Sequence, residues 1–324
     1  MRRLLSFLAK AAVSALLLYL SLRRVDLSHV GQRLSALDLR WIGFVLIAMC
    51  VQIPLGALRW REIVLTCGAK LSTALALQYS FIGIFFSQVL PSTVGGDAVR
   101  IWLLARGGAG WSTSIYSVLI DRVVGVSALA MIVVGCLPWT LELIQNPAAR
   151  GALAVIGFGS LAGAVVFLGL GLPRLKMLDR WWPTRHLAIA SRMTWQLCRT
   201  PAGLRVAVLM MVIHLLTVLA AWGCARAAHA SADFTQVLIL FLPVTLIATV
   251  PISIAGWGVR ESAMVLAFSY AGLPESDGLI VSILYGAASL AVGALGGIVW
   301  IASGYRWGSV KTIEAETLAH DGSA

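Results

Sequence analysis

Leu90-Pro91-Ser92-Thr93-Val94-Gly95-Gly96-Asp97-Ala98-Val99-Arg100 decides the reading of this chain, because an altered copy follows as Val250-Pro251-Ile252-Ser253-Ile254-Ala255-Gly256-Trp257-Gly258-Val259-Arg260-Glu261. Superposed, Pro91 meets Pro251, Thr93 meets Ser253, Gly96 meets Gly256, Val99 meets Val259 and Arg100 meets Arg260. Each copy lies between two apolar runs. Proline removes a backbone donor and breaks a helix, and glycine permits turns that other residues resist. Pro91, Gly95, Gly96, Pro251, Gly256 and Gly258 therefore mark helix breaks. Broken backbone at membrane depth persists only where it is packed in protein or lines a wet cavity. Interrupted segments paired in the two halves of a membrane protein point to a transport site.

The surrounding composition supports a membrane setting. Of 324 residues, 59% are hydrophobic and 12% charged. The apolar residues fall in long blocks, which excludes an ordinary soluble domain. The formal charge of +11 sits in short loops beside those blocks. That pattern sets membrane orientation and argues against a nucleic-acid partner. Cys50, Cys67, Cys136, Cys198 and Cys224 show neither CxxC nor metal-ligand spacing, so no disulfide framework is expected. Residues 1–22 begin like a signal peptide, with Arg2 and Arg3, but Lys10 interrupts the run and no cleavage site follows. A retained first span is the better reading.

Eight apolar blocks appear, at about 4–22, 41–58, 73–90, 115–137, 151–172, 205–225, 235–255 and 279–303. The expected fold is an all-α polytopic membrane protein, with one integral membrane domain over 1–305 and a polar cytoplasmic tail over 306–324. The loop 173–204 carries Arg174, Lys176, Arg180, Arg185, Arg192 and Arg199 against Asp179 alone, so it should be cytoplasmic. With the N-terminus inside, one of the five preceding blocks must fail to cross. Residues 73–107 are the natural re-entrant hairpin, and 235–271 a second from the opposite face. Six full spans remain, with both termini cytoplasmic, and the hairpins form an inverted repeat. This arrangement puts more Lys and Arg inside than eight plain crossings do, although Arg23, Arg24, Arg33 and Arg40 then fall outside.

A charge at membrane depth is costly and marks a functional candidate. Arg100, Arg260, Asp97, Glu261, Asp121 and Arg122 are the candidate substrate-binding residues. Asp97 stands about one helical turn before Arg100. Glu261 directly follows Arg260, and adjacent helical side chains diverge, so Glu261 is expected to pair with Arg100 or Arg122. The bland alternative is that these charges only staple the fold. The sharper one is that arginine forks face a phosphate or carboxylate, helped by exposed N–H groups at the broken helix starts. Arg59-Trp60-Arg61-Glu62 reads first as an interfacial anchor and second as a headgroup contact at a cavity mouth. Trp181-Trp182 reads as the start of a helix on the inner leaflet. His214 reads as a satisfied intramembrane histidine. Gly293, Gly296 and Gly297 read as small-residue helix packing. No zinc spacing, G-x-S-x-G, phosphate-binding loop or nucleotide fingerprint occurs, so no cofactor is expected.

At Leu90–Arg106, Asp121-Arg122 and Val250–Ala263 the chain resembles the flippase-like family named after the lysylphosphatidylglycerol synthase transmembrane region, over about residues 5–305. Trp257 stands where the second motif of that family often has a small residue. The resemblance implies a stand-alone member without the aminoacyl-transferase domain. It also implies a translocase moving a phospholipid or other polar lipid across the bacterial inner membrane, and not an enzyme. Arg100 and Arg260 would then neutralise an anionic headgroup, with Asp97, Asp121 and Glu261 positioning them. The alternatives are a membrane enzyme on lipid-linked phosphate or sugar, using Asp97 or Glu261 as base, and a partner subunit of a separately encoded lipid-modifying enzyme.

Overall fold

A computed structural model describes residues 12, 14, 16–19, 22–23, 36–90, 94–172, 181–250, 253 and 255–305. Pro91, Pro251, most of the first apolar block, the centre of the basic loop and the 306–324 tail lie outside the described residues. No strand occurs among the residues described. The helices are α1 (Leu39–Thr66), α2 (Thr73–Val89), α3 (Gly95–Leu104), α4 (Trp111–Gly135), α5 (Leu137–Leu143), α6 (Pro147–Gly169), α7 (Trp182–Cys198), α8 (Pro201–Ala227), α9 (Phe234–Ala248), α10 (Val259–Tyr270) and α11 (Glu275–Ala302). The chain is a polytopic α-helical membrane protein, as its composition requires.

Local chemistry sets the helix ends. Asp38 caps α1 by accepting from Arg40 N at 2.9 Å. Asn146 caps α6 ahead of Pro147, and Asp233 forms a capping box with Gln236 at α9. Helix α2 stops at Leu90, whose ψ of 144° is the extended conformation imposed on a residue before proline.

α1, α4, α6, α8 and α11 are long and apolar enough to cross a bilayer. α2 has 17 residues and α9 has 15. These reach only about 26 and 22 Å, short of a hydrocarbon core of roughly 30 Å. Each folds back on a shorter partner. Gly96 of α3 lies against Gly83 of α2, and Gly107 lies against Tyr79, so α2 and α3 run antiparallel. Their outer ends meet, because Gly68, Ala69 and Lys70 share a surface depression with Gly107, Gly108 and Ala109. In the other half α10 packs on α9, and Gly256 faces Ala248 at their joint. Ser231, before α9, donates through N and Oγ to Asp277 in the first turn of α11, at 2.9 and 3.0 Å. Asp38 N donates to Ala227 O, which joins the start of α1 to the end of α8. The α9–α10 pair thus springs from the end of the bundle where α1 begins, and the α2–α3 pair from the end where α1 finishes.

α11 packs along α2 through its glycines. A Cβ on Gly296 would stand 1.9 Å from Phe81 O, and Gly293 and Gly297 abut Gln88 and Phe85. The small-residue reading of this stripe holds. Val155, Phe158 and Val165 of α6, Leu204 and Val208 of α8, and Ile298 and Ile301 of α11 face outward. Such an apolar exterior suits lipid. The polar 173–204 stretch contains α7, where Ser191 Oγ and Trp195 Nε1 both donate to Leu168 O at 3.0 Å. Leu17 O accepts from Ser262 Oγ, which docks the first segment on α10.

Candidate functional site

The close approach of Gly96 to Gly83 builds the site. A Cβ on Gly96 would fall 2.0 Å from Gly83 O, so only glycine lets α3 lie this near α2. Asp97 and Arg100 then share the face of α3 turned to α1 and α4. Asp97 receives a two-pronged bond from Arg122, Nε to Oδ2 at 2.5 Å and NH2 to Oδ1 at 2.9 Å. Asp121 accepts from Arg59 Nε at 2.8 Å and from Arg100 NH2 at 3.1 Å. Arg100 reaches Asp97 only at 3.5 Å, so the expected pair within α3 is the weaker link. The Arg100 guanidinium lies 4.2 Å from the Trp60 ring centroid, and Trp60 Nε1 donates to Ser117 Oγ.

Three guanidinium groups (Arg59, Arg100, Arg122) thus meet two carboxylates (Asp97, Asp121), which leaves one positive charge. The cluster borders a cavity of about 290 Å³ that also touches α2, α8 and α11. Gln52, midway along α1, lines it. The Arg122 side chain is 54% exposed, against 12% for Arg100 and 2% for Asp121. The cluster therefore has an open edge at Arg122 and a buried floor at Asp121. Among the described residues, two buried donors there lack partners, Arg100 Nε and Gln52 Nε2. Gln52 Oε1 is taken by Thr217.

Three expectations change. Arg59 and Trp60 are not an interfacial anchor. Arg59 turns inward to Asp121, and Trp60 is fully buried beneath Arg100. Sequence reasoning undervalued Arg59, because its place near the end of α1 matches the ordinary arginine–tryptophan signature of an interface. Glu261 does not cross to Arg100 or Arg122. It sits in the first turn of α10, where Oε2 accepts from Gly258 N at 2.6 Å and Oε1 from Arg260 NH2 at 2.8 Å. Helix capping turns the carboxylate back, which brings it to its own neighbour. His214 is not fully satisfied, since its buried Nε2 has no partner among the described residues.

The second motif makes a closed counterpart. Gly256 and Gly258 take φ of 81° and 83°, the left-handed region that favours glycine. Arg260 Nε donates to Ser282 Oγ at 3.0 Å, and Ser282 donates to Glu261 at 2.9 Å. Arg100 reaches 21 residues forward to Asp121, and Arg260 reaches 22 forward to Ser282. Each motif arginine thus reaches a polar group on the next long helix, a carboxylate for Arg100 and a hydroxyl for Arg260. Arg260, expected to meet the headgroup together with Arg100, is a further expectation that changes: it does not line the cavity. Tyr285 separates them, lining the cavity on one side with its ring centroid 5.6 Å from the Arg260 guanidinium on the other. The broken start of α10 is already capped by Glu261. Gly95 packs against Leu90 and Phe86 at the hairpin bend. No group of three or more His, Cys, Asp and Glu among the described residues is placed to hold a metal ion.

The family model for the lysylphosphatidylglycerol synthase transmembrane region matches residues 7–297. The chain belongs to that family. All five charged groups of the cluster fall inside this lysylphosphatidylglycerol synthase transmembrane region, as do both motifs. The chain is also similar to a UPF0104 membrane protein of Pyrococcus horikoshii, 22% identical over 134 residues, which are 40% of this chain and 39% of that protein. The match thus spans about two fifths of that relative. No solved structure matches the chain significantly.

Proposed function

We propose that this protein carries a polar, anionic lipid headgroup across the bacterial inner membrane through the Arg59–Arg100–Arg122 cavity, without covalent chemistry. One observation carries the reading: a cavity among helices long enough to cross a bilayer is edged by a charge cluster with one uncompensated positive charge. A unit charge pair at 4 Å is worth about 4 kcal/mol at an effective dielectric of 20, enough to offset much of the cost of desolvating a phosphate. In this reading α2–α3 and α9–α10 are re-entrant hairpins entering from opposite faces, an inverted repeat with both chain termini cytoplasmic. The open edge at Arg122 receives the headgroup, while the acyl chains stay against the apolar exterior.

The enzymatic alternative invoked Asp97 or Glu261 as base, and neither carboxylate is free. Both oxygens of Asp97 and of Asp121 accept from arginines, and Glu261 is occupied by Gly258 N, Arg260 and Ser282. No observation favours the partner-subunit alternative. The test is reconstitution into liposomes carrying labelled phosphatidylglycerol in one leaflet. Leaflet exchange should rise above that of empty vesicles and fall in Arg100→Ala and Arg122→Ala. Exchange indifferent to both changes would remove the cavity from the mechanism.

A further inference from the structure

Resting on the translocase reading above, we infer that the cavity selects a lipid whose phosphodiester supplies a single negative charge and whose remaining headgroup is uncharged and hydroxylated, and that it rejects an aminoacylated, cationic headgroup. The family description names a synthase of a lysyl lipid. The lining chemistry of this chain points elsewhere.

Charge is the first argument. One phosphodiester brings the five-residue cluster to neutrality. A lysyl ester on the headgroup glycerol of the same phosphodiester adds two ammonium groups, so cluster and lipid together carry two positive charges in a poorly solvated place, where like charges are costly. The second argument is the rest of the wall. Away from the arginines the cavity is lined by Gln52, Ser80, Ser87, Gln88 and Ser289, all neutral. Asp97 is the carboxylate among the described lining residues, and both its oxygens are held by Arg122. No anionic partner is left for an ammonium.

The third argument is directional. Ser87 Oγ donates to Gly83 O at 3.0 Å and Ser289 Oγ to Tyr285 O at 2.8 Å. Each hydroxyl has therefore given its proton to its own helix and keeps lone pairs for an outside donor. Acceptors for hydroxyl protons thus line the same cavity as the arginine cluster that would hold the phosphate. A glycerol-type or sugar-type phosphodiester offers both kinds of group.

The experiment is competition binding on the full-length protein in detergent, read by native mass spectrometry, with equimolar phosphatidylglycerol, phosphatidylethanolamine and lysylphosphatidylglycerol. Phosphatidylglycerol should be retained at least about tenfold over the lysyl lipid. Gln88→Glu and Gln52→Glu, which put a carboxylate on the neutral wall, should shift the ratio toward the lysyl lipid while thermal unfolding reports an intact fold. Equal or better retention of the lysyl lipid by the unaltered protein overturns the inference, as does an unchanged ratio in a folded variant. Displacement of the lipid by an equal concentration of glycerol 3-phosphate would assign the cavity to a soluble ester and also overturn it. Leaflet exchange of the same three lipids in vesicles separates the two readings. If none moves while the binding preference stands, the translocase reading fails and the headgroup assignment survives.

Discussion

Arg100 touches Asp121, Asp97 and the face of Trp60 through one planar group, a set of contacts that the compact ammonium of lysine does not reproduce. Arg100→Lys should therefore keep the charge balance and the fold but weaken anionic-lipid retention by about 10- to 100-fold, the equivalent of one charged hydrogen bond of roughly 1.5–3 kcal/mol. Titration by native mass spectrometry checks it, and unchanged retention would remove the fork geometry from recognition. Arg260 belongs to a different account. Its pair with the fully buried Glu261 is dry, and NH2 presses on Gly286, where a Cβ would come within 2.3 Å. Arg260→Met leaves a buried carboxylate without its counter-charge and should cost about 3–5 kcal/mol. The double change Arg260→Met with Glu261→Gln should recover much of that, with lipid preference unaltered. Thermal unfolding of the three proteins decides, and a single change as benign as the double one refutes the staple role. Both arginines were legible as special from their motif. Their division into an open site and a closed one was not, because it depends on Glu261 turning back to Arg260 and on Tyr285 standing between Arg260 and the cavity.

At the scale of elements, the two short helix pairs are what the prolines and glycines foretold. The break after Leu90 and the left-handed glycines before Val259 follow from backbone sterics alone. What these breaks permit is contact. Gly96→Ala puts a methyl 2.0 Å from Gly83 O, and Gly296→Ala puts one 1.9 Å from Phe81 O. In each case a backbone must move, so each change should cost at least about 1–3 kcal/mol as overpacking. Gly163→Ala in α6, with nothing within 4 Å, should be neutral or slightly stabilising because alanine is the better helix former. Detergent thermal stability of the three variants is the measurement, and equal behaviour would refute the packing argument. Helix α7 was anticipated only from its tryptophans and arginines, since its amphipathic run is short and its dry face is defined by Leu168 of another helix.

For the whole molecule, the placement of the hairpin bases at opposite ends of α1 yields a topological expectation. In a cysteine-free background, Lys70→Cys and Ala109→Cys should react with a membrane-impermeant maleimide from one side, and His229→Cys and Ser276→Cys from the other. Labelling of positions 70 and 109 from opposite sides would show that 73–107 crosses the membrane and would end the re-entrant reading. The sequence by itself determined the polytopic helical class, the two interrupted segments and the family, because these rest on hydropathy, backbone sterics and local motif, all properties of neighbours along the chain. Only the tertiary structure decided that Arg59 joins Arg100 and Arg122, that Glu261 serves Arg260, and that one positive charge is left beside a cavity. The arginine cluster joins residues tens of positions apart, and the Arg260–Glu261 pair depends on the capping geometry at the start of α10; a charge balance exists only once folding has chosen which groups share a low-dielectric space.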